Sequence, residues 1–383
     1  MTDASGVFVW PQPDVARIRV GEPNITAVEK GFVRECLAED WLTHLSPWNQ
    51  RFESSLSDRL GQPTIATNSG SSALLLALIA AGVKPGDEVI VPSLTFAAVA
   101  SAVVHAGAEP VFCDIDASSW TLSVDSVKDA LSPKTRAIIV VHSFGCSANM
   151  TDLLSVSQRQ GIALIEDACE AFGGTYRGVP LGTIGDFGTF SFYANKLITS
   201  GEGGAVSTSS ADACSLMEMW RGQGMSRESG YRYYHEVPGY NFRLTAASAA
   251  LGAGQMDRWE TLVAARKGVE DRYNALLQDI MVRPEPSPGG IRAPWIFAAR
   301  FRGSQERLAI LVADELGKAG IETRPIFRPL HNMRAFSNYK SFVGDVTASI
   351  ALSGLLLPTH HKLEEKDIEQ IAGIVRDTVE KSA

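Results

Sequence analysis

Residues 185–208 read GDFGTFSFYANKLITSGEGGAVST, in which two apolar runs are separated by one lysine and a glycine-rich turn. The runs 187–193 and 205–208 have the aromatic and β-branched composition of buried strands. Lys196 lies between them. An ammonium beside buried strands loses hydration, which favours the neutral amine, a nucleophile that forms covalent imines with carbonyl compounds. The alternative is a solvated loop lysine beside a glycine turn, where most lysines are found.

Short apolar runs alternate with helix-like stretches on both sides of this segment. Continuous apolar strands separated by helices predict an α/β fold with a mainly parallel sheet covered on both faces. We expect seven strands in this sheet, at 64–67, 88–91, 109–115, 137–142, 163–167, 188–192 and 204–208. A proline-rich stretch at 283–290 then opens a smaller α+β region. We therefore predict an N-terminal segment (1–60), a large α/β domain (61–256), and a linking helix with a small C-terminal α+β domain (257–383).

Composition narrows the class of protein. The chain has 383 residues, 45% of them hydrophobic, and a net charge of −8, which gives no support to nucleic-acid or anionic-membrane binding. Its five cysteines are widely spaced and mostly within apolar segments, as expected of reduced thiols in a cytoplasmic protein. We see no signal peptide and no apolar run of the roughly 18 residues that span a bilayer. The seven histidines are scattered, so we expect no metal site.

The sequence NSGSSAL at 68–74 follows the first predicted strand and begins a helix. In a parallel sheet, ligands bind at the carboxyl ends of the strands, where helix N-termini offer unpaired N–H groups to phosphates. Gly70 allows close approach, and Ser71 and Ser72 supply N–H and hydroxyl donors. The alternative is a helix N-cap at Ser71 or Ser72 with no ligand.

Three further side chains follow predicted strands. Asp167 ends the run ALIED, and a buried carboxylate there needs a partner such as a protonated ring nitrogen; the alternative is an aspartate that caps the next helix. Phe96 could lay its ring on a ligand, although most phenylalanines are simply part of a core. Ser191, five residues before Lys196, could reach the same phosphate as Ser71 and Ser72.

Taken together, these motifs resemble the DegT/DnrJ/EryC1/StrS family of pyridoxal-phosphate sugar aminotransferases. The resemblance covers nearly the whole chain and rests on five ordered motifs, NSGSSAL (68–74), PGDEVIVPSLTF (85–96), IEDACEA (165–171), SFYANK (191–196) and GEGG (201–204). It implies the fold-type I, aspartate aminotransferase-like architecture. It also implies pyridoxal 5′-phosphate as cofactor, with L-glutamate and a nucleotide-linked keto-deoxysugar as substrates.

The resemblance implies a role for each site residue. Lys196 would be the catalytic lysine that binds the cofactor covalently and then carries protons. Asp167 would pair with the pyridine nitrogen, Phe96 would stack on the ring, and Glu170 would lie near the ring oxygen. Ser71, Ser72 and Ser191 would hold the phosphate. Asn241 matches a segment that the family contributes to the neighbouring subunit's phosphate site, which implies a homodimer with shared active sites.

Within the family, the likeness is strongest to sugar 4-aminotransferases that act on a GDP-linked 4-keto-6-deoxyhexose. The shared segments include GYNFR (239–243) and TRPIFRPLH (323–331). The resemblance implies Trp41, Arg324 and His331 as candidates for the sugar site. The alternatives are an aminotransferase acting on another nucleotide-linked keto-sugar or a cyclitol, a relative that removes a sugar hydroxyl, and a non-catalytic cofactor-binding relative.

Overall fold

The computed structural model describes residues 10–226, 233–303 and 307–382, so the first nine residues of the predicted N-terminal segment lie outside the described residues. The helices are α1 (Ala27–Ala38), α2 (Pro47–Leu60), α3 (Gly70–Ala80), α4 (Ala98–His105), α5 (Val124–Ala130), α6 (Met150–Gln160), α7 (Ala211–Arg221), α8 (Ala246–Asp257), α9 (Trp259–Leu277), α10 (Leu308–Lys318), α11 (Asp345–Ser353) and α12 (Glu365–Ser382). In this part of the chain, no helix is both long and apolar enough to cross a membrane.

The strands are β1 (Thr64–Thr67), β2 (Glu88–Pro92), β3 (Glu109–Cys113), β4 (Thr135–Val141), β5 (Ala163–Asp167), β6 (Thr175–Tyr176), β7 (Val179–Pro180), β8 (Phe187–Ser191), β9 (Gly204–Ser207), β10 (Met281–Val282), β11 (Gly290–Ile291), β12 (Phe297–Phe301), β13 (Arg324–Pro325), β14 (Ser341–Phe342) and β15 (Gly354–Leu357). From β1 to β5 the strands alternate with these helices, and β5 to β9 then follow one another with no α-helix between them.

Among the described residues, the large sheet has eight strands in the order β1-β9-β8-β5-β4-β2-β3-β14. Only β9 runs antiparallel to its neighbours, β8 and β1, so the predicted mainly parallel α/β fold is confirmed. All seven predicted strands are present. The eighth, β14, pairs in parallel with β3 at the sheet edge. Sequence patterns could not predict it, because two exposed residues carry no hydrophobic period.

Successive residues of the central strands face opposite sides of the sheet. On β4, Ile138 and Val140 belong to one apolar cluster with residues of α2, α6 and α8, whereas Ile139 and Val141 belong to another with residues of α3, α4 and α7. Both faces are therefore covered by helices, which explains why these strands read as continuous apolar runs rather than alternating ones.

A four-stranded antiparallel sheet, β10-β12-β15-β13, forms a separate core with α9, α10 and α12. The predicted boundary between residues 256 and 257 falls in the last turn of α8, and the one after residue 60 falls at the end of α2. The domain limits themselves stay a prediction. The segments next to β12 and β13 lie against the large sheet and line one cavity with it.

Glu166 orders the loop that leads into β8. Its side chain is fully buried on β5, where one carboxylate oxygen accepts hydrogen bonds from the N–H groups of Ile184 (2.6 Å) and Gly185 (2.7 Å). The other oxygen accepts from the N–H of Gly182 (2.9 Å) and from His142 Nε2 (2.9 Å). Because β8 ends five residues before Lys196, this carboxylate helps to set where the lysine segment begins, which is the stretch 192–203 between β8 and β9.

We expect Glu166→Ala to lower the free energy of unfolding by about 3 kcal/mol or more, because it leaves several buried donors without an acceptor. Urea denaturation measures this loss. The control is Glu369→Ala, which removes an exposed partner of Arg272 on α12 and should change stability by about 0.5 kcal/mol or less. Equal effects of the two substitutions would contradict the role given to Glu166.

Candidate active site

A cavity of about 680 Å³ lies where the large sheet meets the segments around β12 and β13. The ends of β5 and β8, the start of α3 and the lysine segment form one side. Trp295, just before β12, and residues 324–328 form the other. Of the predicted site residues, the cavity is lined by Ser71, Phe96, Asp167, Glu170, Ser191, Lys196 and Arg324.

Lys196 is half-buried on the cavity wall. Its Nζ lies 4.1 Å from the centre of the Trp295 ring, a cation–π arrangement. Its backbone N–H donates to the carbonyl of Tyr193 (2.9 Å), and its carbonyl accepts from the buried guanidinium of Arg266 (3.1 Å). The lysine is therefore held by its backbone and by an aromatic face, unlike a solvated loop lysine.

The start of α3 points at the cavity. Its N-cap is Ser69, and not Ser71 or Ser72, because the Ser69 hydroxyl accepts from the N–H of Ser72 (3.1 Å). Ser72 is buried, and its hydroxyl donates to Asn68 Oδ1 (2.6 Å), so its side chain completes the cap rather than lining the cavity. Ser71 is exposed and lines the cavity. The first-turn N–H groups of Gly70 and Ser71 are the ones that the cap leaves for a ligand.

Two glycines permit this close approach, and Gly204 is the stricter requirement of the two. A Cβ on Gly70 would lie 3.1 Å from both Cys169 Sγ and Ser191 Cβ, and a Cβ on Gly204 would lie 2.4 Å from the backbone of Ser69. The helix therefore starts in contact with the ends of β5, β8 and β9. The same contact brings Ser191 beside the helix N-terminus.

Two carboxyl groups follow β5 into the cavity. Asp167 is buried, and its Oδ1 accepts from the N–H of Cys169 (2.9 Å). The residues after it form turns and not a helix, so the alternative of a helix-capping aspartate is wrong. Burial raises the pKa of Glu170 to about 7, although the charge of Lys196 and a hydrogen bond from the N–H of Phe144 (2.8 Å) act to lower this pKa.

Aromatic rings form the opposite wall. The Phe96 side chain is 62% exposed and lies 6.4 Å from the Phe327 ring, so it is a cavity ring rather than a core residue. Sequence reasoning missed Trp295 as a lining residue, and within the segment 323–331 it singled out Arg324 and His331 but not Phe327 and Arg328. Trp295 carries no local signal, because it follows Lys196 by about a hundred residues and reaches the cavity only through the packing of the second sheet.

Besides Ser72, three predicted residues lie outside the cavity lining. The Trp41 ring packs against the core formed with α2 and α8, and its Nε1 donates to Glu39 (3.1 Å). His331 Nδ1 lies 2.7 Å from the Ser93 hydroxyl, and burial lowers the pKa of the histidine. Asn241 is exposed, and its Oδ1 accepts from Arg243 (2.9 Å). A direct contact of these residues with a ligand in this cavity stays a prediction.

Comparison with known proteins gives a consistent assignment. Residues 23–376 match the DegT/DnrJ/EryC1/StrS aminotransferase family. The chain is 37% identical over 362 residues to GDP-perosamine synthase of Caulobacter vibrioides, covering 94% of this chain and 97% of that protein. It superposes with a TM-score of 0.88 on the aminotransferase TlmJ from Streptoalloteichus hindustanus, at 27% identity and covering 96% and 100% of the two chains. A Streptococcus pneumoniae protein assigned as a sugar aminotransferase, in its PLP-form, gives a TM-score of 0.87 at 28% identity, with 95% and 99% covered.

The chain therefore belongs to the DegT/DnrJ/EryC1/StrS aminotransferase family, as the five motifs predicted. Aminotransferases of this family depend on pyridoxal 5′-phosphate. The residues present fit this cofactor. The open helix N-terminus at Gly70 and Ser71 suits a phosphate, and Asp167 offers a buried acceptor. Lys196 lines the same cavity.

The raised pKa of Glu170 predicts a pH-dependent stability. Between its ordinary pKa of 4.5 and about 7, the folded chain holds a proton that the unfolded chain releases, so stability falls as pH rises through this window. For protein freed of small molecules, Glu170→Gln should remove about 2–3 kcal/mol of the stability that the native chain loses between about pH 5 and pH 8. Denaturation curves at both pH values measure the difference.

Glutamine keeps an acceptor for the Phe144 N–H, so the variant isolates the ionisation of the carboxyl. Glu202→Gln is the control, because Glu202 also lines the cavity but is exposed. It should lose as much stability as the native chain over the same range. An unchanged pH dependence in Glu170→Gln would contradict the assignment.

Proposed function

We propose that this aminotransferase moves an amino group from L-glutamate to the keto group of a nucleotide-linked keto-deoxysugar, with pyridoxal 5′-phosphate as cofactor. A 4-keto-6-deoxyhexose linked to GDP is the substrate that the likeness to GDP-perosamine synthase supports. The observation that carries the proposal is one cavity that joins Lys196, Asp167 and the N-terminus of α3. This set provides a nucleophilic amine, a buried carboxylate and a phosphate site.

The bound cofactor supplies an electron sink for the carbon that gains or loses the amino group. Lys196 anchors the cofactor covalently through Nζ. The same amine would also hold and move the proton at the substrate carbon in each half of the reaction. Asp167 keeps the ring nitrogen protonated by pairing with it, which spares the buried carboxylate the cost of an unpaired charge.

The other lining residues orient the ligands. The hydroxyl groups of Ser71 and Ser191 donate hydrogen bonds to the phosphate, beside the first N–H groups of α3. Ser72 contributes by completing the N-cap of that helix. Phe96 lays its exposed ring on the cofactor face. Glu170, with its pKa near neutrality, holds or shares a proton at the ring oxygen.

The sugar nucleotide enters from the side of β13. Arg324 and Arg328 line the cavity there, and guanidinium groups suit the diphosphate of a nucleotide sugar or the carboxylates of glutamate. Trp41 and His331 do not line the cavity, so they contact the substrate farther out or support the residues that bind it. An aminated nucleotide sugar is a donor for polysaccharide assembly, O-antigen included, and we place this reaction in the cytoplasm.

We expect Lys196→Ala and Lys196→Arg to lower kcat by at least about 10³-fold, because neither side chain anchors the cofactor or moves its proton. Turnover of GDP-4-keto-6-deoxymannose with L-glutamate, followed by product mass, measures this loss. The visible absorbance of the lysine-linked cofactor should disappear in both variants.

The arginine variant separates chemistry from folding, because it keeps a cation that can face the Trp295 ring. The arginine variant should therefore unfold near the native temperature. Retained turnover in either one would overturn the assignment of Lys196. Native enzyme that takes up cofactor but does not respond to glutamate would overturn the donor.

We also propose a homodimer in which each subunit completes the partner's phosphate site through Asn241. The support is that Asn241 is exposed and lies outside its own cavity, in a segment that packs on the loop before α3. There its carbonyl accepts from Asn68 Nδ2 (3.4 Å). A residue placed beside a phosphate site, yet turned away from it, suits a site shared between subunits.

Mixing two inactive variants tests this arrangement. Lys196→Ala and Asn241→Asp homodimers should each be impaired, the second because it places a carboxylate at the phosphate. After subunit exchange, the mixture should regain up to about a quarter of native activity, since half of the random dimers carry one intact site. Mass photometry checks the dimer itself. Failure to regain activity in dimers shown to have exchanged would contradict shared sites.

A further inference from the structure

Trp295 makes an unusual number of fixed contacts for a cavity residue. Its side chain is 5% exposed, and its backbone N–H donates to the carboxylate of Glu270 (3.0 Å). Its carbonyl accepts from the guanidinium of Arg266 (2.8 Å). The Phe144 ring stacks on it at 6.4 Å and 19°. Both backbone polar groups and one ring face are therefore engaged, so the indole is held rigidly.

The indole contacts two consecutive residues of the lysine segment. Its Nε1–H donates to the carbonyl of Asn195 (3.1 Å), and its ring centre lies 4.1 Å from Nζ of Lys196. One contact holds the backbone from which the lysine side chain starts, and the other holds the end of that side chain. A flexible four-carbon chain fixed at both ends loses most of its rotamer freedom before any ligand binds.

Arg266 supports the same geometry from behind. Its guanidinium is buried and donates to four carbonyl groups, those of Trp295 and Thr359 (2.8 Å each), Lys196 (3.1 Å) and Asn195 (3.4 Å). The backbone of Trp295 and the backbone of the lysine therefore share one donor group. Movement of Trp295 relative to Lys196 would break several of these bonds at once.

We propose that Trp295 is the positioning residue for Lys196, and that its indole keeps the released amine in place between the two halves of the reaction. This inference rests on the proposed function, because that chemistry requires the lysine to be freed and then to act again at the same carbon. The contact also explains why a residue from the β12 side reaches the lysine. Trp295, just before β12 of the second sheet, provides the ring against which Lys196 packs.

Two effects of the ring oppose each other, and their sizes decide the expected result. A cation–π contact stabilises the ammonium, which by itself slows attack by the amine by about 2-fold to 30-fold. Misplacing a reacting group by about 1 Å costs about 100-fold. We therefore expect loss of the ring face to slow the lysine rather than to activate it.

The test follows covalent attachment of pyridoxal 5′-phosphate to the apoprotein by stopped-flow absorbance. Trp295→Leu and Trp295→Met, which lack a ring face, should attach the cofactor about 10-fold more slowly than the native protein, and Trp295→Phe should lie within about 3-fold of it. In steady-state assays, kcat should fall by a similar factor while KM for L-glutamate changes little. The methionine variant carries the test if the leucine variant does not fold.

Trp259→Leu is the matched control, because it removes another buried tryptophan that packs on Phe172 away from the cavity. It should lower the unfolding temperature without slowing attachment. Rates equal to the native rate in the leucine and methionine variants, or faster rates, would overturn the positioning role. If the native protein itself forms no covalent cofactor absorbance, the proposed function fails instead.

Discussion

The contact between the start of α3 and the ends of β5, β8 and β9 is the constraint on which the site depends. It requires glycine at 204, where a Cβ would overlap the backbone of Ser69, and it favours glycine at 70, where a Cβ would make tight contacts with Cys169 and Ser191. The gain is geometric. The N-terminal N–H groups of α3, the carboxyl group that ends β5 and the segment that follows β8 all come to one edge of a rigid sheet, so a small anionic ligand can contact all three.

That edge is only half of a cavity. The other half comes from Trp295 and residues 324–328, which belong to the segments around a separate antiparallel sheet with its own core. Arg266 of α9 joins the halves, because its guanidinium donates to the carbonyls of both Trp295 and Lys196, and Glu270 of the same helix accepts from the N–H of Trp295. The chemistry of the large sheet therefore depends on a buried polar network that neither sheet could provide alone, and such networks are sensitive to the loss of any member.

The sequence predicted the first half well and the second half poorly, for physical reasons. Buried parallel strands such as β4 and β5 appear in the sequence as continuous apolar runs, and polar residues just after them indicate the edge of the sheet where ligands bind. For this reason, the sequence alone indicates Asp167, Lys196 and the glycine turn as candidate parts of the site. The alternative of an N-cap at Ser71 or Ser72 is wrong, because three neighbouring serines are equivalent in the sequence pattern and only the backbone selects Ser69. Trp295 has no local signal, since its role depends on packing across about a hundred residues.

The charges around Lys196 form a coupled set rather than independent groups. Burial raises the pKa of Glu170, the charge of Asp167 raises it further, and the positive charge of Lys196 lowers it. When the lysine nitrogen is neutral, the last of these effects is lost, so Glu170 holds its proton more firmly. When the lysine is an ammonium, Glu170 releases that proton more readily. The protonation of Glu170 therefore depends on the charge that Lys196 carries. The Trp295 ring fixes the position of the Lys196 nitrogen, and the effect of its charge on Glu170 depends on the distance between the two groups.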